Sequence, residues 1–243
     1  MKKKLLTLSI LLTSFQTAYA ETQRNTALDT VEQKASYTLG ADLAKNFIQQ
    51  GIEIDSDALI MGFEDALKKR PLKLNQQEMN SAIQALKQKI MAKRLADFKA
   101  KADENHKKGQ AFLAENQKKP GVHTTDSGLQ YKILQKSKNT DNSHPTEDST
   151  VIAHYEGRLI DGKIFDSSYQ RGTPLKFELS NVIPGWQEAL KMMKPGDIWE
   201  VYIPAKLAYG EKGAGNTIGP NETLIFKVEL ISVEPDTEEA QQK

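Results

Sequence analysis

The 243-residue chain contains no cysteine, which excludes disulfides, thiol catalysis, thiolate zinc sites and iron–sulfur clusters. Its four histidines (His106, His123, His144, His154) are scattered without metal-ligand spacing, so neither a metal centre nor any other cofactor is expected. Neither charge sign dominates, since 33 basic residues face 32 acidic ones. No apolar run approaches the ~20 residues of a membrane-spanning helix. A mean hydropathy of -0.56 with 38% hydrophobic residues is too polar for a multi-span membrane protein and too apolar for a wholly disordered chain.

The first twenty residues read as an export signal that is removed. Lys2, Lys3 and Lys4 form a positive start and Leu5 to Leu12 a short apolar core. Ala18-Tyr19-Ala20 then sets small residues at the cleavage positions. Cleavage after Ala20 leaves an exported chain with a net charge of -2 and no transmembrane segment. Periplasmic, outer-membrane-associated, surface and secreted destinations all remain open.

The mature chain divides by composition. Residues 21–122 carry a net charge of +3 and two prolines, and residues 123–243 a net of -5 and seven prolines. The first part reads as helix. Asp29 or Thr30 can cap a helix with Val31, Ala35, Leu39, Leu43 and Phe47 on one stripe, ended by Gly51. Asp55 can cap a second, with Leu59, Phe63 and Leu67 inward, stopping before Pro71. Asn75 with Glu78 resembles a capping box opening a third, longer helix. Met79, Ile83, Leu86 and Ile90 form a seam along it, and the sequence then turns polar on every side from Phe98 to Gly109. That stretch reads as a solvated rod. Acids interrupt its basic residues and no aromatics interleave, so no nucleic-acid partner is expected. The three stripes, Leu39, Leu43, Phe47; Leu59, Phe63, Leu67; and Met79, Ile83, Leu86, are the expected interface of a homodimer.

From Leu129 the period changes to two. Leu129, Tyr131 and Ile133 alternate with polar residues, as do Val151, Ala153 and Tyr155. Trp199, Val201 and Ile203 share a face, and so do Leu224, Phe226, Val228 and Leu230, as in half-buried antiparallel strands. Between them VIPGWQEALKMM predicts a short helix with Trp186, Ala189, Leu190 and Met193 inward. The fold class is α+β: about five strands wrapped on one helix. The boundaries expected are 1–20 signal, 21–74 dimerisation helices, 75–122 connecting helix, 123–234 the strand-rich domain and 235–243 a disordered tail. Asp141 to Asp148 reads as a mobile loop.

The strings HYEGRLIDGKIFDSS, VIPGWQEAL, PAKLAYGEKG and IGPNETLIFKVELISV, in this order, resemble the FKBP-type peptidyl-prolyl cis-trans isomerases. SYTLGADLAKNF, IMAKR, KADEN, KKPGV and DSGLQYKI resemble that family's exported Mip branch, which pairs a helical dimerisation region and a long helix with a C-terminal isomerase domain. The resemblance implies a pocket of Tyr155, Phe165, Asp166, Trp186, Tyr209 and Phe226 as catalytic residues. Arg171, Leu175, Phe177, Val182, Ile183 and Ile218 are implied as substrate or inhibitor contacts. Arg171 pairs with Asp166 in this reading, and the Tyr209 hydroxyl donates to a substrate carbonyl. Leu175 and Ala214 depart from residues found at the rim in some members, which bears on preference and inhibitor affinity.

The implied function is rotation of X-Pro bonds in exported proteins, with proline-containing clients and, by resemblance, macrolide inhibitors. Folding-chaperone activity would come from the dimer. The alternatives are a holdase, or a host-interaction surface protein in which isomerisation is secondary. A fragment from His123 onward, holding every predicted strand and pocket residue, is expected to fold alone and isomerise a short peptide nearly as fast as the whole chain.

Overall fold

A computed structural model describes residues 27–138 and 144–234. The expected export signal and tail and part of the loop after Lys138 lie outside these residues. The chain divides into two compact units, parting after Gln76.

The first unit holds α1 (Val31–Gln49) and α2 (Ser56–Leu67). Thr30 is the N-cap of α1: its hydroxyl accepts from the Gln33 N–H, and Gln33 Oε1 accepts from the Thr30 N–H. Gly51 follows with φ +67°, the left-handed conformation that ends helices at low cost in glycine. Asp55 caps α2 by accepting from the Ala58 N–H. Within α1 and α2 the one buried residue is Asp65, so the predicted stripes are not internal core.

The second unit takes in α3 (Gln76–Asn116), 41 residues long, from its second residue onward. Among the described residues seven strands follow: β1 (Val122–Thr124), β2 (Gln130–Gln135), β3 (Thr150–Leu159), β4 (Ile164–Ser167), β5 (Leu175–Glu178), β6 (Ile198–Ile203) and β7 (Leu224–Glu234). They form one antiparallel sheet in the order β1-β2-β6-β7-β3-β4, with β5 also pairing β3. A single turn, α4 (Ser168–Arg171), follows β4, and α5 (Pro184–Met192) crosses one face of the sheet. Val151, Ala153, Val201, Ile203, Leu224, Val228 and Leu230 point toward α5 and meet Ala189, Leu190 and Met193 in one core. The alternation read from the sequence supplies this face. The additional strands β1, β4 and β5 have three or four residues each, too short to show a period.

The opposite face differs from expectation. It is covered in part by α3, whose buried residues Ala102, Asn105, Gly109 and Asn116 recur three, four and seven residues apart. Tyr202 and Ile225, opposite each other on β6 and β7, are buried there, and Phe112 stacks obliquely on Tyr202 with ring centroids 6.0 Å apart. Buried Gln130 of β2 donates to the Leu113 carbonyl at 2.9 Å and accepts from Asn116 at 3.0 Å. A Cβ at Gly109 would collide with the Thr223 hydroxyl, so glycine here permits close approach. The solvated-rod reading therefore fails on the side of α3 that carries Ala102, Asn105 and Gly109, where the packing stripe is built of small and amide residues.

Candidate active site

Tyr155 and Gly157 alternate along β3, and Phe226 lies opposite Gly157 on β7. Both rings thus project from the two longest strands toward α5. Trp186, in the first turn of α5, lies between them. Its ring centroid is 5.2 Å from Tyr155 at 84° and 5.2 Å from Phe226 at 86°. Phe165 of β4 stands edge-on to Phe226 at 5.5 Å, and Phe177 of β5 is 5.5 Å from Trp186. Edge-to-face contacts set the positive rim of one ring against the negative face of the next. A Cβ on Gly157 would lie 2.6 Å from the Phe226 ring and 2.7 Å from Phe165. Glycine inside a strand is the sequence signal of such an approach, and here it lets two rings rest on bare backbone.

Ile218 belongs to the hydrophobic core that contains Tyr155, Trp186 and Phe226, and Val182 and Ile183 pack against that core. Two of the predicted residues stand apart. Leu175 is exposed on β5, opposite Ala153. Tyr209 is exposed between two single-turn 3-10 helices, Ala205–Leu207 and Gly210–Lys212.

A polar network borders the rings. The Tyr155 hydroxyl donates to Asp166 Oδ2, Arg171 Nη1 donates to Asp166 Oδ1, and Arg171 Nη2 donates to the Tyr155 oxygen at 2.8 Å. The Arg171 guanidinium also lies 5.5 Å from the Tyr155 ring centroid. Burial pushes the Asp166 carboxyl up, but hydrogen bonds from Tyr155 and Arg171, with the arginine's charge, outweigh it and hold the carboxyl below its usual range. Burial pushes the Tyr155 phenol up, and its bond to Asp166 pushes the same way.

Sequence reasoning missed Ser168. The flank of β3 is shared by β5, which pairs Thr150 to Ala153, and β4, which pairs Glu156 to Arg158. Tyr155 falls in the gap, and the fully buried Ser168 fills it. The Ser168 hydroxyl accepts from the Tyr155 N–H at 2.7 Å and reaches the Tyr155 carbonyl at 3.1 Å. One hydroxyl replaces a strand partner and ties the Asp166–Arg171 segment to the backbone of Tyr155. The only available signal was the second serine of FDSS, which resembles any turn residue.

The network gives a directional pH expectation. Asp166 has a lowered folded-state pKa, so its ionised form contributes fully above the unfolded carboxylate value of about 3.9. That contribution is lost as pH falls through the lower folded value. Arg171→Ala should raise the Asp166 midpoint, which an NMR titration of the side-chain carboxyl would register. An unchanged midpoint would show that Arg171 does not hold the charge.

The family described as FKBP-type peptidyl-prolyl cis-trans isomerase matches residues 141–231, and the domain amino terminal to such isomerases matches residues 32–133. The chain is 47% identical over 233 residues to the outer membrane protein MIP of Legionella longbeachae, covering 96% of this chain and 98% of that protein. It is 46% identical over 208 residues to the peptidyl-prolyl cis-trans isomerase Mip of Coxiella burnetii, covering 86% and 89%. The crystal structure of FkpA from Escherichia coli superposes with a TM-score of 0.73 at 39% identity, covering 86% of this chain and 99% of that one.

Proposed function

The chain belongs to the FKBP-type peptidyl-prolyl cis-trans isomerases, and from that premise we propose that it turns X-Pro bonds in the aromatic bowl around Trp186. The observation that carries this reading is the mutual packing of five rings around Trp186 and Phe226, with the Asp166–Arg171–Tyr155 network at their border. Rotation about the amide must overcome about 18–20 kcal/mol, most of it lost C–N double-bond character. A site lowers this barrier by binding the twisted amide better than either planar form. The rings accept the pyrrolidine and strip water from the amide carbonyl, whose hydrogen bonds to water favour the planar form. Val182 and Ile183 border the bowl, and the exposed Tyr209 hydroxyl donates to a substrate carbonyl. Asp166, already paired twice, keeps a fixed charge at the rim and takes no proton in the cycle.

The test is isomerisation of a Phe-Pro peptide. Asp166→Ala and Tyr209→Phe should each lower kcat/KM by about tenfold, equivalent to about 1.4 kcal/mol of barrier. Full activity in both variants would show that the bowl has been assigned to the wrong residues.

We infer further that the chain works as a homodimer of exported subunits. Leu39 is 72% exposed on α1 and Phe63 67% exposed on α2, and Leu43, Leu59, Leu67 and Ile83 are exposed too. Phe47, Met79 and Leu86 are half-buried. A second copy covers such stripes most directly, because self-complementary apolar faces pair isologously. Two bowls held in one particle support recapture of a released client at high effective concentration, which is the basis of the folding-helper activity proposed here. Among the described residues no helix is long and apolar enough to cross a membrane, and the export signal read at residues 1–20 supports an exported chain. Sedimentation equilibrium at micromolar concentration should give twice the mass of one chain. A single-chain mass would overturn the dimer.

A further inference from the structure

The turn that carries Tyr209 is anchored to α3. Gly210, the next residue, accepts at its carbonyl from the Asn221 N–H at 2.8 Å. Between these two residues the loop closes a second time. Ala214 and Ile218 exchange backbone hydrogen bonds of 2.9 and 3.1 Å, which fixes the pocket residue Ile218 to the same loop. The far end of the loop is pinned by the helix. Asn105 is 4% exposed, and its Nδ2 donates to the carbonyl of buried Pro220 at 2.8 Å. Asn221 adopts φ +55°, a left-handed conformation that asparagine tolerates better than most side chains. Its Nδ2 approaches the Ala102 carbonyl of α3 at 3.4 Å. One helical turn beyond Asn105, Gly109 lets the helix backbone lie against Thr223.

We propose that Asn105 is a positioning residue for the isomerase reaction, setting the Tyr209 hydroxyl through the path Asn105, Pro220, Asn221, Gly210. This rests on the reading of Tyr209 as the donor to a substrate carbonyl. The chemistry at residue 105 is specific. Proline has no N–H, so the Pro220 unit offers the helix only a buried carbonyl, and a buried acceptor needs a donor. Alanine would leave that acceptor bare, and aspartate would set lone pairs against lone pairs. An amide side chain of this length spans the gap while Ala102 and Gly109 keep the helix close. The helix thereby forms part of the outer support of the pocket wall.

A double-mutant cycle on the full chain tests this. Wild type, Asn105→Asp, Tyr209→Phe and the combination are assayed on a Phe-Pro peptide well below the unfolding temperature, with rates scaled to folded protein. Asn105→Asp should lower kcat/KM about fivefold in the wild-type background and have little effect in the Tyr209→Phe background. The backbone amide resonances of Tyr209 and Gly210 should shift in Asn105→Asp. A general loss of stability would instead lower both backgrounds by the same factor, and that result overturns the proposal. So does wild-type kcat/KM in Asn105→Asp while Tyr209→Phe is impaired, a result that leaves the Tyr209 reading intact. Wild-type activity in Tyr209→Phe removes that reading and this proposal with it. If Asn105→Asp yields no folded protein, Asn105→Ala, which only deletes the donor, enters the same cycle.

Discussion

Phe226→Ala is expected to lower stability by about 3–5 kcal/mol, the usual cost of truncating a buried phenylalanine, and to remove most isomerase activity. Three rings rest on Phe226: Trp186 and Phe165 edge-on, and Tyr155 with centroids 6.4 Å away. The residue opposite it is Gly157, which has no side chain to move into the space. The cavity therefore stays open, and the full truncation cost is expected. Phe226→Leu keeps part of the volume and should cost less while still loosening Trp186. Denaturant unfolding of both variants, with peptide isomerisation measured on the folded fraction, would separate the two effects. A Phe226→Ala protein with wild-type stability and rate would mean that the rings do not support one another.

The second large effect concerns the start of the catalytic unit. Residues 123–243 contain nearly every strand residue, and the sequence alone suggests that they suffice. The structure adds the end of α3. A chain beginning at His123 exposes Tyr202 and Ile225, which α3 keeps buried, and burial of such side chains contributes about 1.5–3 kcal/mol each. It also releases Gln130 from Leu113 and Pro220 from Asn105. We expect the fragment from His123 to unfold at clearly lower denaturant than one beginning at Phe98, with weaker isomerase activity as well. Equal midpoints and equal rates would return α3 to the role of a tether.

The two faces of the sheet differ in how far a pattern of residues reveals them. The inward face was legible because Val151, Ala153 and Tyr155, and Leu224, Phe226, Val228 and Leu230, alternate in large apolar side chains. Trp186, Ala189 and Leu190 marked the buried face of α5 in the same way. The packing stripe of α3 was not legible. Alanine, asparagine and glycine bury by being small or by finding a carbonyl, and neither property registers as hydrophobic. Ser168 escaped for a related reason, since its position depends on a gap between two strands that cannot be located before the strands are paired. The polar partners of Asp166 were legible only through the family resemblance, because Phe165-Asp166 and Arg171 taken alone describe an ordinary turn.

The split flank of β3 has a consequence for the client handling proposed above. An open sheet edge is a template on which any extended polypeptide can add a strand, the first step of many aggregates. Among the described residues this sheet ends in a three-residue strand on one side and two four-residue strands on the other. Where those last two leave β3 uncovered, the Ser168 hydroxyl occupies the backbone groups of Tyr155. A client segment beside the bowl thus meets side chains and short, interrupted borders rather than a continuous ladder. In the proposed cycle it binds through its proline, and among the described residues it meets no long edge on which to zip into a β-structure that would hold it there.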